Sequence, residues 1–355
     1  MAGEAGGLTR AAMYDRAATS LPDLEAQVDF CRRAEESGID SLLTDFGFSK
    51  PDSILLAAAL GMATEKIKFI VAYRSGLLCP TIFVQQLNTL SALINGRFSL
   101  NIVAGHSPEE QRFYGDYLSH DERYARTEEF LSICRALWKR NGAVTFDGEY
   151  YKVDNARLNI PFVSSDRAAP EIFIGGSSPP AQRLAVNHGT CWMRIADAPE
   201  KVRGEILPAL KAGVEVGMRM AIIARPSREE AVRAAASLLE SLNVEAGDTK
   251  KENEFVRKSD STSIKAAYGL ETEWPTPYLW TGAVRHIGGP AIALVGSPEE
   301  IASAIMEYRA VGVSQFIFSG WPKLDEMLYF GKEILPLVRK KEMEAEAEHS
   351  STQGS

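Results

Sequence analysis

Histidine and cysteine are scarce in this chain, and neither is arranged as a metal site. Cys31, Cys79, Cys134 and Cys191 show no CxxC and no Cys/His ligand spacing. That excludes a zinc site of known spacing and leaves reduced, mostly buried thiols. Long apolar runs are missing too, and the opening MAGEAGGLTR has no apolar core. Neither a membrane span nor a signal peptide is expected, so the expected location is the cytoplasm. Positive charge is in deficit: the net charge of −8 argues against nucleic acid or an anionic membrane as partner. No paired carboxylates stand out, and no Ser/His/Asp order or GxSxG occurs. A chain without those parts is expected to borrow its chemistry from an external cofactor.

What is present is a globular composition, 45% hydrophobic and 24% charged, in a chain of 355 residues, enough for a sizeable core. Helix-like and strand-like segments alternate, as in parallel βα units. In SLPDLEAQVDFCRRAEESGIDSLLTD, Pro22 suits a first helical position, Leu24, Val28, Cys31 and Ala34 form an apolar stripe, and Gly38 can end the helix. A strand over Ile39–Leu43 follows. Further strands are expected at 67–73, 97–105, 171–176, 190–195, 215–224 and 313–320. Those seven fit a (β/α)8 TIM barrel with insertions, the eighth strand to come from the N-terminal dozen residues. The expected organisation is one domain over 1–340, with an insertion at 106–120, an Asp-Gly hairpin at 143–160 and a mobile lid over 243–290. A disordered polar tail is expected at 341–355.

In such a barrel the chemistry sits at the carboxyl ends of the strands. Two stretches there can hold an anion. In SHDERYARTEEF, Ser119 and Glu122 have the form of a capping box, which puts His120 and Tyr124 on one helix face. In IFIGGSSPPAQRLA a strand ends in two glycines, then Ser177, Ser178 and a proline-started helix whose N–H groups face outward. Local sequence leaves each stretch open between a plain helix cap and an anion grip. Arg219 is unusual in an apolar strand and requires an acidic neighbour or an anionic ligand.

Taken together, GRFSLNIVAG, LSHDERYARTEEFLSICRALW, PEIFIGGSSPPAQRLA and AIALVGSPEEIASAIMEYRAVGVSQFIFSGWP resemble, in order and spacing, the bacterial luciferase-like flavin monooxygenases. The nearest look is to the two-component alkanesulfonate enzymes, over roughly Asp23 to Val338. The resemblance implies a luciferase-like barrel, a homodimer or homotetramer, and FMN used as FMNH2 from a separate NAD(P)H:flavin reductase. It also implies that O2 reacts with the flavin to give a flavin peroxide that oxygenates an organic substrate. It places His120, Tyr124, Ser177 and Ser178 at the flavin phosphate, and Ala72, Asn101 and Ala104 along the ring. Ala72 would lie near a non-proline cis peptide, a bond costing about 3–4 kcal/mol.

The chain departs from the sulfonate pattern around the substrate. Lys50 stands where those enzymes have cysteine, Ala221 where they have histidine, and Trp321 where they have tyrosine. Their lid arginine aligns near Ile287, with Arg285 and His286 close by; Arg219 is retained. A pocket with Phe46, Phe48, Lys50, Trp321 and Arg285 suggests a larger, partly apolar substrate, free or on a carrier. Arg219 is the expected catalytic charge, holding the peroxide or an anionic substrate group. Two rival readings are an F420-dependent hydride-transferring oxidoreductase on the same barrel and a non-catalytic flavin-binding protein.

Overall fold

The computed structural model describes residues 23–48, 50–242 and 253–353. In chain order its strands are β1 (Ser41–Thr44), β2 (Lys68–Arg74), β3 (Phe98–Val103), β4 (Val144–Asp147), β5 (Lys152–Ala156), β6 (Ile172–Gly175), β7 (Cys191–Ile195), β8 (Glu215–Ala224), β9 (Leu279–Trp280), β10 (Ala293–Gly296) and β11 (Val313–Ser319). The seven expected barrel strands all form and lie side by side, every neighbour parallel, in the order β1-β2-β3-β6-β7-β8-β11. Helices such as Pro80–Ile94 and Pro298–Ala310 connect them, giving the TIM-barrel arrangement. The expected N-terminal strand lies outside the described residues.

Parallel register lets one face be followed around the sheet. Leu43 stands opposite Ile70, Ala72 opposite Asn101, Asn101 opposite Phe173, and Phe173 opposite Cys191. Farther round, Gly175 pairs Met193, Ile195 pairs Arg219, Arg219 pairs Ile317, and Ala221 pairs Ser319. This is the inner face: Ile70, Phe173, Cys191 and Met193, with Leu43 and Ile317, form an apolar cluster separate from the larger core under the helices. The alternate residues, among them Phe69, Val71, Phe98 and Leu100, point outward and pack with Phe83 and Leu87 of helix Pro80–Ile94. Truncating a buried phenylalanine such as Phe83 removes about 3–5 kcal/mol.

β8 is ten residues long, enough to pair with β7 over Glu215–Arg219, with β11 from Val216 to Ala221 and with β10 from Ala221 to Ala224, Ala221 opposite Ala293. β9 adds to β10 antiparallel. The expected hairpin is β4 with β5. Its turn is fastened from outside, because the Glu129 carboxylate accepts N–H bonds from Glu149, Tyr150 and Tyr151 at 2.8–3.0 Å. In the 106–120 insertion, helix Pro108–Phe113 is capped by Ser107.

Two expectations differ from the structure. Residues 341–353 are not a disordered tail but continue helix Leu335–Gln353. Lys, Glu and Ala dominate that stretch, and these are strong helix formers; Lys340–Glu344 supplies an i,i+4 pair. No cis peptide occurs at Ala72: β2 runs through it in an unbroken ladder, Ala72, Tyr73 and Arg74 pairing Asn101, Ile102 and Val103. The cis bond found among the described residues is Trp321–Pro322.

Candidate active site

At the carboxyl ends of β3 and β6, helix His120–Lys139 and helix Pro179–His188 bring His120, Tyr124 and Ser178 together, with Ser177 next in the chain. The capping box forms: Glu122 N–H donates to Ser119 Oγ at 3.4 Å and Ser119 N–H to Glu122 Oε2 at 2.7 Å. It sets the first turn, so His120 and Tyr124 share a face, their rings 4.9 Å apart. The Tyr124 phenol reaches the other helix start. A β-carbon at Gly176, whose φ is +123°, would stand 3.0 Å from the phenol oxygen, so glycine is needed for both backbone and approach. Burial pushes the Tyr124 phenol up from its ordinary range, against the Ser178 hydroxyl and Arg123, which pull it down. The phenol therefore stays protonated and able to donate. Ser178 caps its helix by accepting from Ala181 N–H at 3.4 Å, and Ser177 stands beside it.

The ring residues of the expectation lie on the adjoining inner face. Ala72 and Asn101 are register partners. Asn101 Oδ1 is buried without a hydrogen-bond partner, as is Ser319 Oγ. A β-carbon at Gly175 would sit 3.6 Å from that Asn101 oxygen. Ala104 is buried, and its carbonyl accepts from Arg123 Nε at 3.0 Å and Gln111 Nε2 at 3.3 Å. The orphaned Asn101 oxygen beside Gly175 fits a flat polar ring, and the hydroxyl and imidazole cluster fits the anionic end of such a molecule.

Across the mouth is a charged wall. Arg219, half-buried on the inner face of β8, makes no hydrogen bond or ion pair with any described residue, but its charge reaches Asp45. Burial pushes the Asp45 carboxyl up. Lys50, then Arg219, and hydrogen bonds from Lys50 Nζ and Phe46 N–H outweigh it and leave the carboxyl below its ordinary range. Lys50 and Asp45 form an ion pair with both side chains 41% exposed. Desolvation by burial lowers the Lys323 ammonium, then the charges of Lys50 and Arg219; Asp45 opposes. Sequence marked Asp45 only as following the first strand and did not mark Lys323, because their roles depend on β1 and β11 ending at one mouth.

The remaining pocket candidates divide. Phe46 packs on Tyr73 and Tyr114, with the Arg74 guanidinium 5.1 Å from its ring. Phe48 meets Phe113 edge-on at 5.0 Å. Trp321 packs with Trp280 and Ile287 against Ala221 and Ala293. Arg285, by contrast, is exposed on the short helix Val284–Ile287, and its side chain makes no ion pair or hydrogen bond with a described residue.

Comparisons with known proteins agree with this fold. The luciferase-like monooxygenase family model matches residues 6–315. A riboflavin lyase solved with modified FMN and riboflavin superposes with a TM-score of 0.73 at 18% identity, over 94% of this chain and 86% of the lyase. An EDTA monooxygenase from Chelativorans sp. BNC1 gives 0.73 at 20% identity, over 90% and 87%. An F420-dependent secondary alcohol dehydrogenase gives 0.64 at 21% identity, over 89% and 96%.

Proposed function

We propose, for a chain that belongs to the luciferase-like monooxygenase family, that it binds reduced FMN at the barrel mouth and oxygenates an organic substrate with O2. The observation that supports this reading is the meeting of His120, Tyr124 and Ser178 at Gly176, one residue from Gly175, against which the unpartnered Asn101 oxygen lies. The protonated Tyr124, the serine hydroxyls and His120 hold the phosphate without a fixed cation. That grip suits a flavin that must arrive from, and return to, a separate NAD(P)H:flavin reductase. Asn101 and Ala72 orient the ring. Bound reduced FMN supplies the activation of O2, and this chain's part is to position both reactants and exclude water.

Arg219, Lys50 and Lys323 outnumber Asp45 at the mouth. This supports a substrate with an anionic group, held by Arg219 and Lys323, its apolar part against Phe46, Phe48 and Trp321. Lys323→Ala should raise KM about tenfold for such a substrate with kcat nearly unchanged, the loss of one charged contact. The segment 243–290, of which 243–252 lie outside the described residues, is the expected cover, and a homodimer or homotetramer the expected assembly.

Anaerobic titration tests the cofactor. Wild type should bind reduced FMN in preference to reduced F420, and His120→Ala with Ser177→Ala should weaken FMN at least tenfold. Preference for F420 would instead favour the hydride-transfer reading, which the dehydrogenase similarity supports.

A further inference from the structure

The Ser177 hydroxyl is engaged by two residues from far along the chain. Thr262 Oγ1 lies 3.0 Å from it and Ser263 Oγ 2.8 Å. Both belong to the segment after residue 253, and that segment is tied down by one buried charge. Arg123, 2% exposed, pairs with Asp260 Oδ2 at 2.7 Å and also donates to the carbonyls of Ala104 and Leu118 at 3.0 and 2.7 Å. A single guanidinium thus joins the residue just beyond β3, the approach to the helix bearing His120, and the distant segment. Two further bonds hold the same place: Asp260 N–H donates to the His106 carbonyl at 2.9 Å, and Ser259 Oγ donates to it at 3.1 Å.

We infer that Thr262 and Ser263 are further ligands of the flavin phosphate, and that the phosphate fastens residues 259–268 over the cofactor. The inference rests on the FMN reading above. A phosphate has more acceptor sites than Ser177 and Tyr124 can satisfy. Two hydroxyls already within reach of Ser177 are the nearest additional donors. Hydroxyl-to-phosphate bonds are charge-assisted and roughly twice as strong as the neutral bonds they replace. Arg123 is occupied by Asp260, so it anchors the segment rather than neutralising the phosphate. The ion pair thus fixes the segment at Asp260, while Thr262 and Ser263 themselves are held only by neutral contacts until a phosphate-bearing flavin enters. A flavin lacking phosphate occupies the ring site and leaves the segment as it was.

Reduced FMN and reduced riboflavin, titrated anaerobically, separate the possibilities. Against Thr262→Ala/Ser263→Ala, FMN affinity should fall about tenfold, the loss of charge-assisted hydrogen bonds, while riboflavin affinity stays within about twofold. In wild type, FMN and not riboflavin should slow hydrogen exchange across residues 259–268. Asp260→Asn keeps every hydroxyl but loosens the anchor. It should speed that exchange without flavin and weaken FMN severalfold, sparing riboflavin. Unchanged FMN affinity in the double variant, or equal loss for both flavins, overturns the inference while leaving the FMN reading intact. A wild type that binds riboflavin and FMN equally, with no protection of 259–268, overturns it too. Failure of wild type to bind FMN at all refutes the underlying reading instead.

Discussion

Asn101 presents a buried amide oxygen that no described residue satisfies. An unpartnered buried polar atom costs about 1–3 kcal/mol, so its retention makes sense where a ligand completes it. Asn101→Leu should hold or raise the thermal midpoint of the flavin-free protein and weaken reduced FMN at least tenfold. A lower midpoint with unchanged flavin affinity would assign the residue to structure. Asp45 supplies a pH signature. Its carboxyl is held below the ordinary range in the folded protein, so its stabilising contribution is present above the unfolded value, near pH 4, and is lost as pH falls through the lowered value. Wild type should therefore lose stability more steeply on acidification than Asp45→Asn, as thermal midpoints measured between about pH 3 and 6 would record. The capping box before His120 and Tyr124 and the glycine-ended strand before Ser177 and Ser178 were legible because each follows a local rule. Asp45, Lys323, Thr262 and Ser263 were not. Their neighbours are remote in sequence, and no local pattern marks a group whose role comes from another strand's end.

Helix His120–Lys139 organises the site as an element. Its first turn carries His120 and Tyr124, its buried Arg123 anchors the distant segment, and its Glu129 holds the hairpin turn. Three N–H donors sharing one carboxylate make Glu129 the link between β4–β5 and the flavin end of the helix. Glu129→Ala should cost about 1–3 kcal/mol, since it removes a charged acceptor from a partly solvated turn. Limited proteolysis should then cut first within residues 147–151; cutting elsewhere would place the weak point outside the hairpin. The hairpin was readable from its Asp-Gly turn, whereas its tether was not, because a glutamate in mid-helix reads as a solvated face. The C-terminal helix shows the converse. A polar run suggested fraying, but its Lys, Glu and Ala content continues the helix beyond the buried Ile334 and Val338.

At the scale of the whole molecule, seven parallel strands ending on one side bring together groups from β1, β3, β6, β8 and β11. The periodicity that marks strands and helices made this architecture visible in sequence, since each βα unit is stabilised by short-range pattern and closure follows from repeating it. The strand expected from the N-terminal dozen residues lies outside the described residues. Where the 253–290 segment docks was not visible, because that depends on the Arg123–Asp260 pair across the barrel top. Among the described residues no helix is long and apolar enough to cross a membrane. The account's central claim is that this mouth takes FMN with its phosphate between the two helix starts. A crystal structure of the protein soaked with FMN tests it most directly. The account places the phosphate within hydrogen-bond reach of Tyr124 and Ser177 and the ring against Asn101; a phosphate bound elsewhere, with that cluster untouched, would contradict it.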